Sequence, residues 1–182
     1  MMLMKAYFVS FMACLVFFFL GCDSIYRMLD KEGAEEKEII GDVLPYEKNP
    51  TVQEIQSLLK LYGYDLGKVD GILGRRTRDA IQRFQKDSQL KETRFVDDET
   101  WNKLRIFLDN NMIVDLRLNM TFIQQLLTYA GYDPGPVDGK PGPKTLQAVK
   151  KFQKDNGLKV DGKIGYHTLT GLSAYLPQVN SR

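Results

Sequence analysis

The sequence predicts an all-α chain: two tandem, small three-helix domains behind an N-terminal export and anchoring segment. Three observations carry this expectation. The chain matches itself without gaps at a shift of 68 residues, so that Ile55 falls on Ile123, Gly63-Tyr64-Asp65 on Gly131-Tyr132-Asp133, Val69-Asp70-Gly71 on Val137-Asp138-Gly139 and Phe84-Gln85-Lys86-Asp87 on Phe152-Gln153-Lys154-Asp155. Such self-similarity is the mark of a duplicated unit. Within each copy apolar residues recur three to four positions apart, the spacing of one helix face. Glycine-bearing turns separate these stretches, as in "VDGILGRRT", "VDGKPGPKT" and "VDGKIGYHT".

Taken in order, residues 1–21 read as a signal. A single Lys5 precedes an almost wholly apolar run over residues 6–20, closed by Gly21, the three-part layout of a secretory leader. The tail Phe19-Leu20-Gly21-Cys22 resembles the lipobox of bacterial lipoproteins, which implies acylation of Cys22, loss of Cys14 and attachment to a membrane. An uncleaved anchor is the alternative, although the apolar run is short for a bilayer span. Residues 22–49, charged from Asp30 to Glu38 and with little apolar periodicity, read as a tether between lipid and first domain, flexible or transiently helical.

The first domain is placed at 50–110. Val52, Ile55, Leu58, Leu59 and Tyr62 share a face of its first helix, with Thr51 and Glu54 positioned as a capping box and Gly63 positioned to close the helix. A second helix carries Ala80, Ile81 and Phe84, and a third carries Trp101, Leu104 and Leu108. A short, partly apolar linker at 111–118 suggests domains that touch. The second domain, 119–177, repeats the plan with Ala148, Val149 and Phe152, then Leu169, Leu172 and Leu176. Pro143 stands where a first helical residue loses no donor. Residues 178–182 form a tail. In each turn the valine is expected to plug the core, the Asp to bond nearby backbone N–H groups, and the Gly to supply positive φ.

Composition removes several function classes. The 25 basic and 23 acidic residues leave a net charge of +2, far from the basic balance of a nucleic-acid binder. The one histidine, His167, and the two cysteines confined to the N-terminal segment provide neither the two or three ligands of a zinc hydrolase nor a cysteine nucleophile. No metal, cofactor or catalytic residue is therefore assigned.

The runs "IQSLLKLYGY", "DLGKVDGILG", "RRTRDAIQRFQKDSQL" and "DDETW" of copy one, and "IQQLLTYAGYDPGPVDGKPGPKTLQAVKKFQKDNGLKVDGKIGYHTL" of copy two, resemble the peptidoglycan-binding domain found beside bacterial wall hydrolases. The resemblance implies a three-helix fold and noncatalytic affinity for peptidoglycan through a shallow surface of loops and helix ends. On it, the candidate ligand-binding residues are Tyr132, Asp138, Gly139, Lys140, Gly142, Thr145, Asp161, Gly162 and Lys163 in copy two, and Tyr64, Asp70, Gly71, Gly74, Arg75 and Thr77 in copy one. The turn residues could equally be structural, and the two tyrosines could either stack on sugar or close the core. Copy one departs from the pattern at Arg94, where glycine is usual, and lacks the final Asp-Gly turn. The expected partners are peptidoglycan and, through the lipid, a membrane of the cell envelope. The alternative is a scaffold that grips another envelope protein.

Overall fold

The computed structural model describes residues 31–41 and 47–176. The leader, the lipidation candidate Cys22 and the tail lie outside the described residues. The fold is all-α, as the sequence predicts, apart from one two-stranded hairpin. Helix α1 spans residues 31–40. Copy one follows with α2 (Pro50–Leu61), α3 (Arg75–Asp87) and α4 (Asp98–Asp109), and copy two with α5 (Met120–Tyr129), α6 (Pro143–Asp155) and α7 (Tyr166–Ser173). Strands β1 (Ile113–Val114) and β2 (Arg117–Leu118) pair between the copies. No helix among the described residues is long and apolar enough to cross a membrane.

The apolar stripes form the helices' inner faces. Val52, Ile55, Leu58 and Leu59 of α2 meet Ala80, Ile81 and Phe84 of α3 and Leu104 and Phe107 of α4, all buried. Ile123, Leu126, Leu127, Ala148, Val149, Phe152, Leu169 and Leu172 do the same in copy two. Each buried Val, Ile, Leu or Phe among them stabilises by about 1.5–3 kcal/mol. Gly63 lies just past α2 at φ +97, and Pro143 opens α6, both as expected.

Four expectations need correction. Helix α2 is capped by Asn49, whose side chain accepts from the N–H groups of Thr51 and Val52. Pro50 fits the first turn without a donor to lose, so the helix starts before Thr51, and Glu54 instead pairs with Arg105 at 3.1 Å. The turn valines of copy two do not plug the core: Val137 is 42% and Val160 51% exposed, and only Val69 packs against it. Leu176 packs beyond the end of α7 rather than on it. The segment read as a flexible or transiently helical tether contains α1, a helix docked on copy one through Glu36 and Glu32.

The linker is the hairpin itself. Asp115 and Leu116 both take positive φ, the conformation of a two-residue turn between right-twisted strands. Met112 and Ile113 are buried. Contact between the copies is direct. Tyr166, the first residue of α7, is buried against Tyr62, Phe84 and Phe107 of copy one, with ring centroids 5.7, 5.2 and 6.0 Å away. Its N–H donates to the Tyr62 carbonyl at 3.0 Å. A Cβ on Gly165 would meet that carbonyl oxygen at 2.7 Å, so glycine permits the approach. His167 Nε2 lies 3.3 Å from Asp87 Oδ2. The two copies thus share one continuous apolar core.

Candidate functional site

Each turn before a helix is held by a buried glutamine from the helix that precedes it. Gln124 accepts from the Gly139 N–H at 2.8 Å and donates to the Lys140 carbonyl at 3.1 Å and to Thr145 Oγ1 at 3.3 Å. Gln153 repeats this with the Gly162 N–H at 2.8 Å, the Lys163 carbonyl at 2.9 Å and Thr168 Oγ1 at 3.1 Å. In copy one, Gln56 binds the Gly71 N–H, the Ile72 carbonyl and Thr77 Oγ1. Gln85 binds the Arg94 N–H, the Phe95 carbonyl and Thr100 Oγ1. Four equivalent nodes therefore set the helix ends.

The aspartates complete three of these nodes. Asp138 accepts from the Lys140 N–H and Asp161 from the Lys163 N–H, at 2.9 and 2.8 Å. Asp70 accepts from Gln56 and from the Ile72 N–H. These bonds hold all three carboxyls below the ordinary carboxylate range: the Lys140 and Lys163 amides are the leading cause for Asp138 and Asp161, and the Gln56 amide for Asp70. Asp133 is lowered likewise, chiefly by the Gly135 N–H and then by Lys144. In the fourth node Thr93 replaces the aspartate, its hydroxyl accepting from Gln85 and the Phe95 N–H, and Arg94 replaces the glycine at φ +69. The turn that copy one was expected to lack is therefore present, built from other residues.

Tyr64 and Tyr132 each stand edge-on to a core phenylalanine, Phe84 and Phe152, and donate to Asp87 and Asp155 at 2.8 and 3.2 Å. Burial, then the aspartate bond, raises both phenol pKa values. Arg75 and Lys140 are exposed, and Lys144 pairs with Asp133 at 3.4 Å.

Three clefts collect nine of the fifteen candidate residues. The first, of about 430 Å³, lies in copy two between the start of α6 and the turn before α7; Met120, Pro141, Leu146, Val149 and Ile164 line it, together with Gly142, Thr145 and Gly162. Its size falls in the range of small-ligand clefts. A Cβ on Gly162 would meet Leu146 Cδ1 at 2.5 Å, so a side chain there would crowd the cleft as well as strain the backbone. A second cleft, at the junction of the copies, gathers Lys159, Asp161, Lys163 and His167 beside Tyr62 and Tyr166. The third, in copy one, is lined by Asp70, Gly74, Arg75 and Thr77. Among the described residues no group of three His, Cys, Asp or Glu side chains could hold a metal ion.

The sequence profile of the family described as "Putative peptidoglycan binding domain" matches residues 48–104 and again 117–172, together more than half of the chain. The chain belongs to that family.

Three similar proteins each share a single stretch with this pair of peptidoglycan-binding copies. The "Localization factor PodJL" of Caulobacter vibrioides, in two strains, is 37% identical over 57 residues, which are 31% of this chain and 6% of that protein. An uncharacterized protein from the bpoA1 3' region of Kitasatospora aureofaciens is 59% identical over 39 residues, 21% of this chain and 30% of that one. The chain thus spans a small part of each relative. No solved structure matches it significantly.

Within the peptidoglycan-binding copies, Tyr132, Asp138, Gly139, Lys140, Tyr64 and Gly71 line none of the three clefts. The residues that sequence reasoning missed are the four glutamines and the apolar lining of the copy-two cleft. The glutamines were legible in principle. Gln56 and Gln124, and Gln85 and Gln153, repeat at the shift of 68, each beside an apolar stripe where a surface polar residue has no reason to recur.

Proposed function

We infer that this chain is a noncatalytic, membrane-anchored envelope lipoprotein that binds peptidoglycan, with copy two as the leading contact. The observation that carries the reading is the open copy-two cleft in a chain made of two peptidoglycan-binding copies. Met120, Leu146, Val149 and Ile164 offer apolar surface on which a sugar ring's C–H face can lie. Lys140 and Lys144 flank the Pro141–Pro143 rim in sequence and supply cations for the carboxylates of peptide stems. Asp138, Asp161 and their glycines shape this surface through the glutamine nodes. The anchor rests on the lipobox-like Phe19-Leu20-Gly21-Cys22.

Cosedimentation of residues 23–182 with insoluble peptidoglycan tests the reading. Retention is expected, without release of soluble muropeptides, and Leu146→Asp should reduce it about tenfold or more, the loss of one or two good apolar contacts. A wild-type protein left wholly in the supernatant would end the wall-binding reading.

A scaffold reading draws on copy one, whose corresponding surface is covered by a protein helix, α1. The relative named as a localization factor supports the same direction. Under this reading copy one receives a segment of protein while copy two holds the wall.

A further inference from the structure

The shift of 68 carries the copy-two cleft onto copy one: Leu146 falls on Arg78, Val149 on Ile81, Gly162 on Arg94 and Ile164 on Val96. In copy one the part of that place around Arg78 and Val96 is occupied by α1, while Gly74 and Thr77, the counterparts of Gly142 and Thr145, line the separate copy-one cleft. Glu36 reaches it with both carboxylate oxygens on the Arg78 guanidinium, at 2.5 and 2.7 Å. The Val96 N–H donates to the same carboxylate at 2.8 Å. Arg78 is aimed by the Arg94 carbonyl, to which it donates at 3.0 Å, and by the face of Phe95, 4.8 Å from its guanidinium carbon.

A forked guanidinium and a backbone N–H converging on one carboxylate make a recognition site for that group. What fills it belongs to a separate segment, joined to copy one through residues 41–49. The buried positions of α1 are Glu32, Glu36 and Ile40, with Ile39 partly buried against the core. Glu32 meets Lys91 at 2.6 Å, so two of the three are carboxylates in ion pairs. A permanent brace is better served by apolar side chains, because a buried ion pair loses in desolvation much of what it gains. Charged contacts instead suit a surface that must also exist uncovered.

Resting on the wall-binding reading, we propose that the Arg78–Val96 groove of copy one is a second binding site, for a peptide carboxylate of the wall, held shut by the chain's own Glu36 standing in for that ligand. Copy two is then open and copy one latched. A tethered competitor acts at high effective concentration, so copy one engages only where stem peptides are dense or α1 is drawn away.

The test titrates residues 23–182, carrying Leu146→Asp to silence copy two, with a synthetic stem tripeptide whose carboxylates are free, and with the same peptide amidated. Glu36→Ala is expected to raise affinity for the free peptide about tenfold or more, one decade being about 1.4 kcal/mol. It should leave the amidated peptide unbound, and adding Arg78→Ala should abolish the gain. If Glu36→Ala stays folded by circular dichroism and gains nothing, the inference is overturned. If it unfolds copy one, Glu36→Gln, which keeps the shape and loses the charge, decides by the same titration; unfolding of both variants shows α1 to be a brace and also overturns it. Loss of wall retention by the wild type is a separate result, which removes the proposed function itself.

Discussion

The second turn of each copy solves one problem with different residues. Copy two uses Asp161-Gly162; copy one uses Thr93-Arg94, and the hydrogen bonds to Gln153 and Gln85 are the same. What specifies the turn is thus the buried amide and the threonine in the first turn of the next helix. Glycine and aspartate make the turn cheaper to form. Arg94 sits in the left-handed region, which costs an L-residue about 1–2 kcal/mol. In exchange its side chain reaches Asp79 and its carbonyl aims Arg78. The same substitution that strains the turn equips copy one to receive a carboxylate.

The largest expected effect comes from the node. Gln153→Ala and Gln85→Ala each leave several buried groups unpaired and should cost about 2–4 kcal/mol, alike in both copies to within about 1 kcal/mol. Urea denaturation checks this, with Trp101, the single tryptophan, reporting on copy one. A near-neutral Gln85→Ala would mean the copy-one turn is held from outside, by α1. Exchanging the strained position sharpens the contrast. Arg94→Gly should stabilise by about 1 kcal/mol, since it relieves the backbone and removes a buried Nε without a partner. Gly162→Arg should cost at least as much in the other direction. Equal and negligible shifts would break the argument.

The smallest effect is that of acid. Asp138 and Asp161 have native pKa values below their unfolded ones, so their contribution is complete above about pH 4 and is lost as pH falls through the native values. Copy one has a single such node aspartate, Asp70, because Thr93 does not titrate. Protection of the Gly162 amide from hydrogen exchange should therefore decline more steeply than that of Arg94 as pH falls from about 4 to about 2. Parallel decline would show that the carboxylates do not hold the turn.

The helices and their duplication were legible in the sequence because burial leaves an apolar period of three to four. Helix α1 was legible only as a transient helix and not as a docked one, since its buried face is Glu32, Glu36 and Ile40, and a face that pairs charges looks like a solvated segment until its partners are known. Asn49 outcompeted Thr51 as cap because Pro50 can occupy a helix's first turn, a choice the Thr-x-x-Glu pattern obscured. The cleft was partly legible. Gly142, Thr145 and Gly162 stood out as turn residues, whereas Met120, Leu146 and Ile164 carry no turn or motif signal, and only the packing of the turn before α7 beside α6 brings them into one cleft.

Tyr166 has its own bearing on the history of the chain. Its counterpart in copy one is Asp98, a residue of no comparable size or use. Of the socket that receives it, Phe84 repeats as Phe152 and Phe107 falls on Tyr175, whereas Tyr62 falls on Ala130, so the ring of Tyr166 and the one wall made by Tyr62 are what set the two copies apart. Two copies of one plan are thereby made complementary at this seam. Neither can now be shuffled, lost or copied alone without leaving an open socket on one side or a bare ring on the other.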